Sequence, residues 1–194
     1  MNLLFLGPEQ KFQTDLIEFL SNDGNSVKRS EAKLEIKDLN KYRYDFLISF
    51  GYRYIIEESI LNYFKSKAIN LHISYLPWNK GADPNLWSIL ENTPKGVTIH
   101  QINSKLDAGK ILYQKELNFN DFDTLRTTYE KLQTELVALF KEKWEKIKNN
   151  KVIPKEQMGK GSYHKSSSKN IHQALLTNGW DTKIKDILGK AVND

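Results

Sequence analysis

Three short, mostly apolar runs constrain this chain more than any other feature: Leu3-Leu4-Phe5-Leu6, Phe46-Leu47-Ile48-Ser49-Phe50 and Ala68-Ile69-Asn70-Leu71-His72-Ile73. Runs of this kind read as buried strands, which is how parallel sheets covered by helices look in sequence. The intervening segments agree. Phe12, Leu16, Ile17, Phe19 and Leu20 recur at helical spacing until Asn22-Asp23-Gly24-Asn25 breaks the pattern, and residues 55–64 repeat it in brief. Residues 27–44 are mixed and charged, and predict only a short strand and a helical turn. Strand, helix, strand, helix in this order predicts an α/β fold with a mostly parallel central sheet flanked by helices.

After Pro77 the texture changes. Asp83-Pro84 predicts a helix start, the carboxylate as N-cap and the proline at the first helical position. Residues 97–102 alternate as a half-buried strand should, and residues 111–117 are expected to pair with them. The polar loop between, residues 103–110, carries Asp107 and Gly109. Asp123 is expected to cap the longest helix, whose apolar stripe is Leu125, Tyr129, Leu132, Leu136, Leu139, Phe140 and Ile147. That helix ends near Asn149-Asn150. We therefore expect a main domain over residues 1–150 and a short C-terminal extension over 151–194, with a helix near residues 170–177.

Composition then narrows the chemistry. With 194 residues and 39% hydrophobic content the chain can bury a conventional core. The absence of cysteine removes disulfides, thiolate catalysis and cysteine-based metal sites. A net charge of +5 suits an anionic ligand, yet it is also an ordinary solubility charge. The lysines of residues 141–148 alternate with glutamates, which reads as a solvated helix face and weighs against a nucleic-acid-binding module. No apolar run approaches the roughly 20 residues needed to cross a bilayer. The first residues turn polar after Leu6 and read as a strand, not a signal peptide, so a cytoplasmic location is expected. No dinucleotide or nucleoside-triphosphate glycine loop, H-E-x-x-H or G-x-S-x-G is present. His100, His164 and His172 lack metal-ligand spacing, and no metal is expected.

One pair stands out. Asn70 and His72 lie two residues apart at the end of a predicted strand, so they project from the same face. They do so at the carboxyl edge of a parallel sheet, where α/β proteins place ligands. An amide donor beside an imidazole suits polarising a carbonyl and moving a proton.

The neighbouring words extend the pair into a pattern. Asn70-Leu71-His72-Ile73-Ser74-Tyr75-Leu76-Pro77, Lys80-Gly81, Gly96-Val97-Thr98-Ile99-His100 and Leu106-Asp107-Ala108-Gly109 together resemble the formyltransferase family that uses 10-formyltetrahydrofolate. The resemblance covers roughly residues 1–120. It implies a Rossmann-like sheet without dinucleotide binding, and it implies Asn70, His72 and Asp107 as the catalytic trio. Asn70 and His72 would donate to the oxyanion formed when an amine attacks the formyl carbon. Asp107 would orient His72, favour its charged form and help remove the amine's proton. Gly51, Tyr52, Arg53, Tyr54 and Ile55 match the family's pterin-binding stretch, and Asn103, Ser104, Lys105 and Leu106 would complete that pocket, chiefly through main-chain groups.

The acceptor is weighed from departures. Gly7-Pro8-Glu9-Gln10 replaces the Gly/Ser-rich loop with which the ribonucleotide branch holds a phosphate, and proline brings no N–H. The 44 residues after the long helix are fewer than the RNA-binding domain of the methionyl-tRNA branch needs. Gly161-Ser162-Tyr163-His164 resembles the tail of the sugar branch. The expected acceptor is thus the amine of a nucleotide-linked amino sugar, met by Gly7, Pro8, Trp78, Asn79, Lys80, Gly81 and Asp83. Methionyl-tRNA or another amine, or water in a 10-formyltetrahydrofolate hydrolase, remain the alternatives. Trp87, at helical spacing, reads as core.

Overall fold

Residues 3–6, 46–50 and 68–72 are closed off from water on almost every side, whereas the edge strand over residues 26–30 is partly exposed and correspondingly polar. A computed structural model describes residues 1–40 and 42–192; Lys41, Asn193 and Asp194, which fall in the expected segments 27–44 and 151–194, lie outside the described residues. Strands β1 (Asn2–Leu6), β2 (Ser26–Ser30), β3 (Phe46–Phe50) and β4 (Ala68–His72) are mutually parallel, and β6 (Gly96–Gln101) and β7 (Ile111–Glu116) continue the sheet antiparallel in the order β2-β1-β3-β4-β6-β7. The expected mixed sheet, parallel for most of its width, is present.

Helices α1 (Lys11–Asn22) and α5 (Leu125–Lys148) cover one face, where Leu3, Phe5, Ile48, Ile69 and Leu71 pack against Leu16, Leu20, Leu136, Phe140 and Trp144. The short helices α2 (Ile36–Asn40) and α3 (Glu58–Phe64) cover the other, where Leu4, Leu6, Leu47 and Ala68 meet Leu39, Ile60 and Phe64. A third cluster lies beyond the sheet. It joins α4 (Pro84–Leu90) to Leu125 and to α6 (Ile184–Ile187) of the C-terminal extension.

Three local expectations need correction. Pro84 does open α4, but Asp83 sits in the left-handed region at φ 50° and its carboxylate caps nothing; it pairs with Lys169 at 3.1 Å. Thr124, not Asp123, caps α5, in a capping box with Thr127, while Asp123 accepts from the Thr127 hydroxyl at 2.9 Å and from Lys131 at 2.6 Å. The helix expected near residues 170–177 is a 3₁₀ segment over Ser168–Leu175.

The extension is woven into the sheet end. Strand β8 (Tyr163–His164) pairs with β5 (Lys80–Gly81), the segment that follows β4, and Lys155 bridges to Ile111 at the edge of β7. Gly81, at φ 87°, is required here: a Cβ would overlap the His164 carbonyl. His164 stacks on Trp87 with ring centroids 3.9 Å apart, and the fully buried His172 meets the same indole edge-on at 5.0 Å. Trp87 is core, as its spacing predicts.

Candidate active site

Asn70 and His72 share a face of β4 because strand side chains alternate, and β6 lies beside them with Asn70 opposite His100 and His72 opposite Thr98. The loop after β6 then returns to put Asp107 against both. Asp107 occupies the left-handed region at φ 49°, where aspartate and asparagine are favoured among residues other than glycine. Its backbone is held from the extension: Gln157 Nε2 donates to the carbonyls of Asp107 at 2.8 Å and Gly109 at 2.9 Å.

The carboxylate is the hub. Asp107 Oδ1 accepts from Asn70 Nδ2 at 3.2 Å and lies 3.5 Å from His100 Nε2; Oδ2 accepts from the Gly81 N–H at 2.8 Å and lies 3.8 Å from His72 Nε2. Burial opposes its charge, but His72, His100 and the Gly81 N–H outweigh burial and hold its pKa well below the usual carboxylate range. Asp107 is therefore an anion at any physiological pH.

His72 does not hydrogen-bond Asp107 in this geometry. Its Nε2 donates to the Asn79 carbonyl at 3.1 Å, and Asp107 acts on it through charge across 3.8 Å. His100 was invisible as a site residue in the sequence. Its Nδ1 donates to the Gln101 carbonyl at 2.7 Å, and its Nε2 lies 3.2 Å from Asn70 Nδ2 and 3.5 Å from Asp107 Oδ1. The Asn70 amide is thus held between His100 and Asp107. An anion, two imidazoles and an oriented amide can together hold a proton, pass it on, and donate to a developing oxyanion.

The other expected residues divide. Arg53, Tyr54 and Ile55 are exposed, and their main-chain groups make no hydrogen bond to other described residues; Asn103, Ser104, Lys105 and Leu106 are exposed as well. Within the second stretch the Lys105 N–H is taken by Asn103 Oδ1 and the Lys105 carbonyl by the Ala108 N–H. The Tyr52 hydroxyl, by contrast, accepts from Leu34 N–H and donates to the Ala32 carbonyl, so its side chain anchors the chain entering α2. Gly51 is exposed at φ 74°. Trp78, Lys80, Gly81 and Asp83 are half-buried in the segment that follows β4, and Pro8 is half-buried beside Gly51. Gly7 is buried, packed against the Phe50 carbonyl. Asn79 is fully buried, with its amide bonded to Thr93 and Ser162; it offers no surface to an acceptor and instead positions His72. Nothing in the sequence singled out Gln157.

Fold and site define an open α/β protein with an anionic carboxylate, two imidazoles and an amide gathered at the carboxyl edge of its parallel strands. Comparison with known proteins specifies it: residues 7–143 match the formyl transferase family, and the chain belongs to that family. It is similar along its whole length to the formyltransferase PseJ of Anoxybacillus kamchatkensis, solved in complex with UDP-4,6-dideoxy-4-formamido-L-AltNAc and tetrahydrofolate (49% identity over 99% of this chain and 100% of that one, TM-score 0.94). It is also 37% identical over 129 residues to the methionyl-tRNA formyltransferase of Thermodesulfovibrio yellowstonii, covering 66% of this chain but 42% of that relative. The chain thus spans less than half the length of that relative. The N-formyltransferase of Helicobacter canadensis shares the fold at 21% identity, with a TM-score of 0.78 over 98% of this chain and 80% of that one.

Proposed function

We propose that this chain transfers a formyl group from 10-formyltetrahydrofolate to the primary amine of a nucleotide-linked amino sugar. The observation that carries the reading is the full-length likeness to PseJ, a formyltransferase solved with a formamido sugar nucleotide and tetrahydrofolate. The folate, when bound, supplies an activated formyl carbon. The exposed main chain of residues 53–55 and 103–106 would hold its pterin, with Gly51 leaving room for the approach.

The chain's own residues do the rest. Asn70 Nδ2 donates to the formyl oxygen, exchanging one of its two 3.2 Å bonds for a bond that strengthens as negative charge develops. His72 supplies the second donor and, with anionic Asp107 at 3.8 Å, takes up the proton that the attacking amine loses. The acceptor is met by Pro8, Trp78, Lys80, Gly81 and Asp83, and the Gly81 N–H also holds the Asp107 carboxylate. Residues 1–150 carry this chemistry, the extension braces it, and the reaction is assigned to the cytoplasm.

A screen of nucleotide-linked amino sugars with 10-formyltetrahydrofolate, following tetrahydrofolate release, tests the reading. Release dependent on one such sugar, with formylated product, is expected. Release at the same rate without any acceptor would replace transfer by hydrolysis, and activity on methionyl-tRNA alone would move the chain to the other branch.

A further inference from the structure

Two residues beside the reacting groups hold backbone conformations that their surroundings must enforce. Asp107 lies at φ 49°, and Asn79, whose carbonyl orients the His72 ring, lies at φ 56°. Residues other than glycine populate this left-handed region sparsely and keep to it where neighbouring structure holds them there. For both, the hold comes from residues 155–164 of the extension.

The first hold follows from register. Lys155 and Ile111 exchange both backbone hydrogen bonds, at 2.7 and 2.9 Å, as a bonded pair of an antiparallel ladder does. Two residues on in one segment and two back in the other, Gln157 comes level with Gly109. Gln157 Nε2 carries two protons and donates one to the Asp107 carbonyl at 2.8 Å and one to the Gly109 carbonyl at 2.9 Å. These carbonyls bracket the turn that presents the Asp107 carboxylate, and neither accepts another hydrogen bond among the described residues. Gly109 adds no side-chain anchor, because a Cβ there would overlap the Gln101 carbonyl.

The second hold is on Asn79. The Ser162 hydroxyl accepts from the Asn79 N–H at 2.9 Å and donates to Asn79 Oδ1 at 3.2 Å. The main chain of Ser162 fixes that hydroxyl in place: its N–H donates to the Pro77 carbonyl at 3.2 Å and its carbonyl accepts from the Lys80 N–H at 3.0 Å. From there β8 pairs with β5, which supplies the Gly81 N–H that holds Asp107 Oδ2 at 2.8 Å. One stretch of the extension thus reaches Asp107 at both its backbone and its carboxylate, and reaches His72 through Asn79.

We propose that Gln157 and Ser162 are positioning residues for formyl transfer, Gln157 acting through Asp107 and Ser162 through His72. The inference rests on the formyl-transfer reading above and gives the extension the task of assembling the trio.

Two double-mutant cycles test it, each read as turnover of 10-formyltetrahydrofolate with the amino-sugar acceptor and as tetrahydrofolate affinity. Gln157→Met keeps the length and loses both donors, and Ser162→Ala loses the hydroxyl alone. Each should lower kcat about tenfold or more, because a small misplacement of a catalytic group is costly, with tetrahydrofolate affinity within about twofold of the wild type. Ser162→Thr, which keeps a hydroxyl, should retain most of the turnover. Gln157→Met should cost little more in an Asp107→Asn background, and Ser162→Ala little more in a His72→Asn background, because the group each acts through is already gone. Losses that multiply in full in the double variants would mean general damage and overturn the proposal. Wild-type turnover in both single variants, or folate affinity lost along with turnover, would overturn it as well. The Ser162 cycle decides by itself if Gln157→Met does not fold. Each of these results leaves the reaction standing, whereas wild-type turnover in Asp107→Asn and His72→Asn would overturn the trio and its positioning residues together.

Discussion

Asp107 is charged because its neighbours outweigh its burial, and both His72 and Asn70 take their orientation or electrostatics from that charge. Two consequences are measurable. His72→Asn keeps a donor but removes the titratable ring. Turnover should fall by about two orders of magnitude. Folate affinity should hold. A wild-type rate would make His72 structural. The second consequence concerns stability. A carboxylate whose pKa is lowered on folding contributes stability above its ordinary value of about 3.9, and that contribution is lost as pH falls through the folded value. Urea midpoints of the wild type should therefore drop more steeply in acid than those of Asp107→Asn. Parallel slopes would refute the assigned charge state.

At the scale of elements, α5 is the brace of the sheet and the extension is the brace of the site. Phe140 is fully buried between α5 and the sheet, stacked on Trp144 at 5.3 Å, and Phe140→Ala should cost about 3–5 kcal/mol by denaturant titration. The extension depends on His164. Burial on Trp87 lowers its pKa, His172 adds to that, and Glu91 at 3.3 Å opposes both. A histidine held neutral on folding stabilises the docked extension above its ordinary pKa of about 6.5, and that stability is lost as pH falls below it. Amide exchange in residues 161–175 should accelerate below that pH, and His164→Phe should abolish the acceleration.

Much of this was legible before any coordinates. The buried strands and their helices show in local pattern, because burial on both faces leaves direct marks on sequence; alternation puts Asn70 and His72 on one face, but only the family resemblance joined Asp107 to them. The caps were misassigned at Asp83 and Asp123 because the deciding contacts, Lys169 for one and Thr127 for the other, depend on geometry that a cap motif does not encode. His100 and Gln157 escaped for a related reason. Asn70 lies 30 residues from His100, and Asp107 and Gly109 lie 50 and 48 residues from Gln157, joined by sheet pairing and the return of the extension.

For the molecule as a whole, the proposed event is formyl transfer at Asn70, His72 and Asp107. The most direct test measures formylated acceptor, released tetrahydrofolate and folate affinity together, for the wild type and Asp107→Asn. The wild type should form one formylated sugar for each tetrahydrofolate released, and Asp107→Asn should lose about a hundredfold or more in turnover with folate affinity intact. Undiminished turnover in Asp107→Asn, or tetrahydrofolate released without formylated acceptor, would contradict the account.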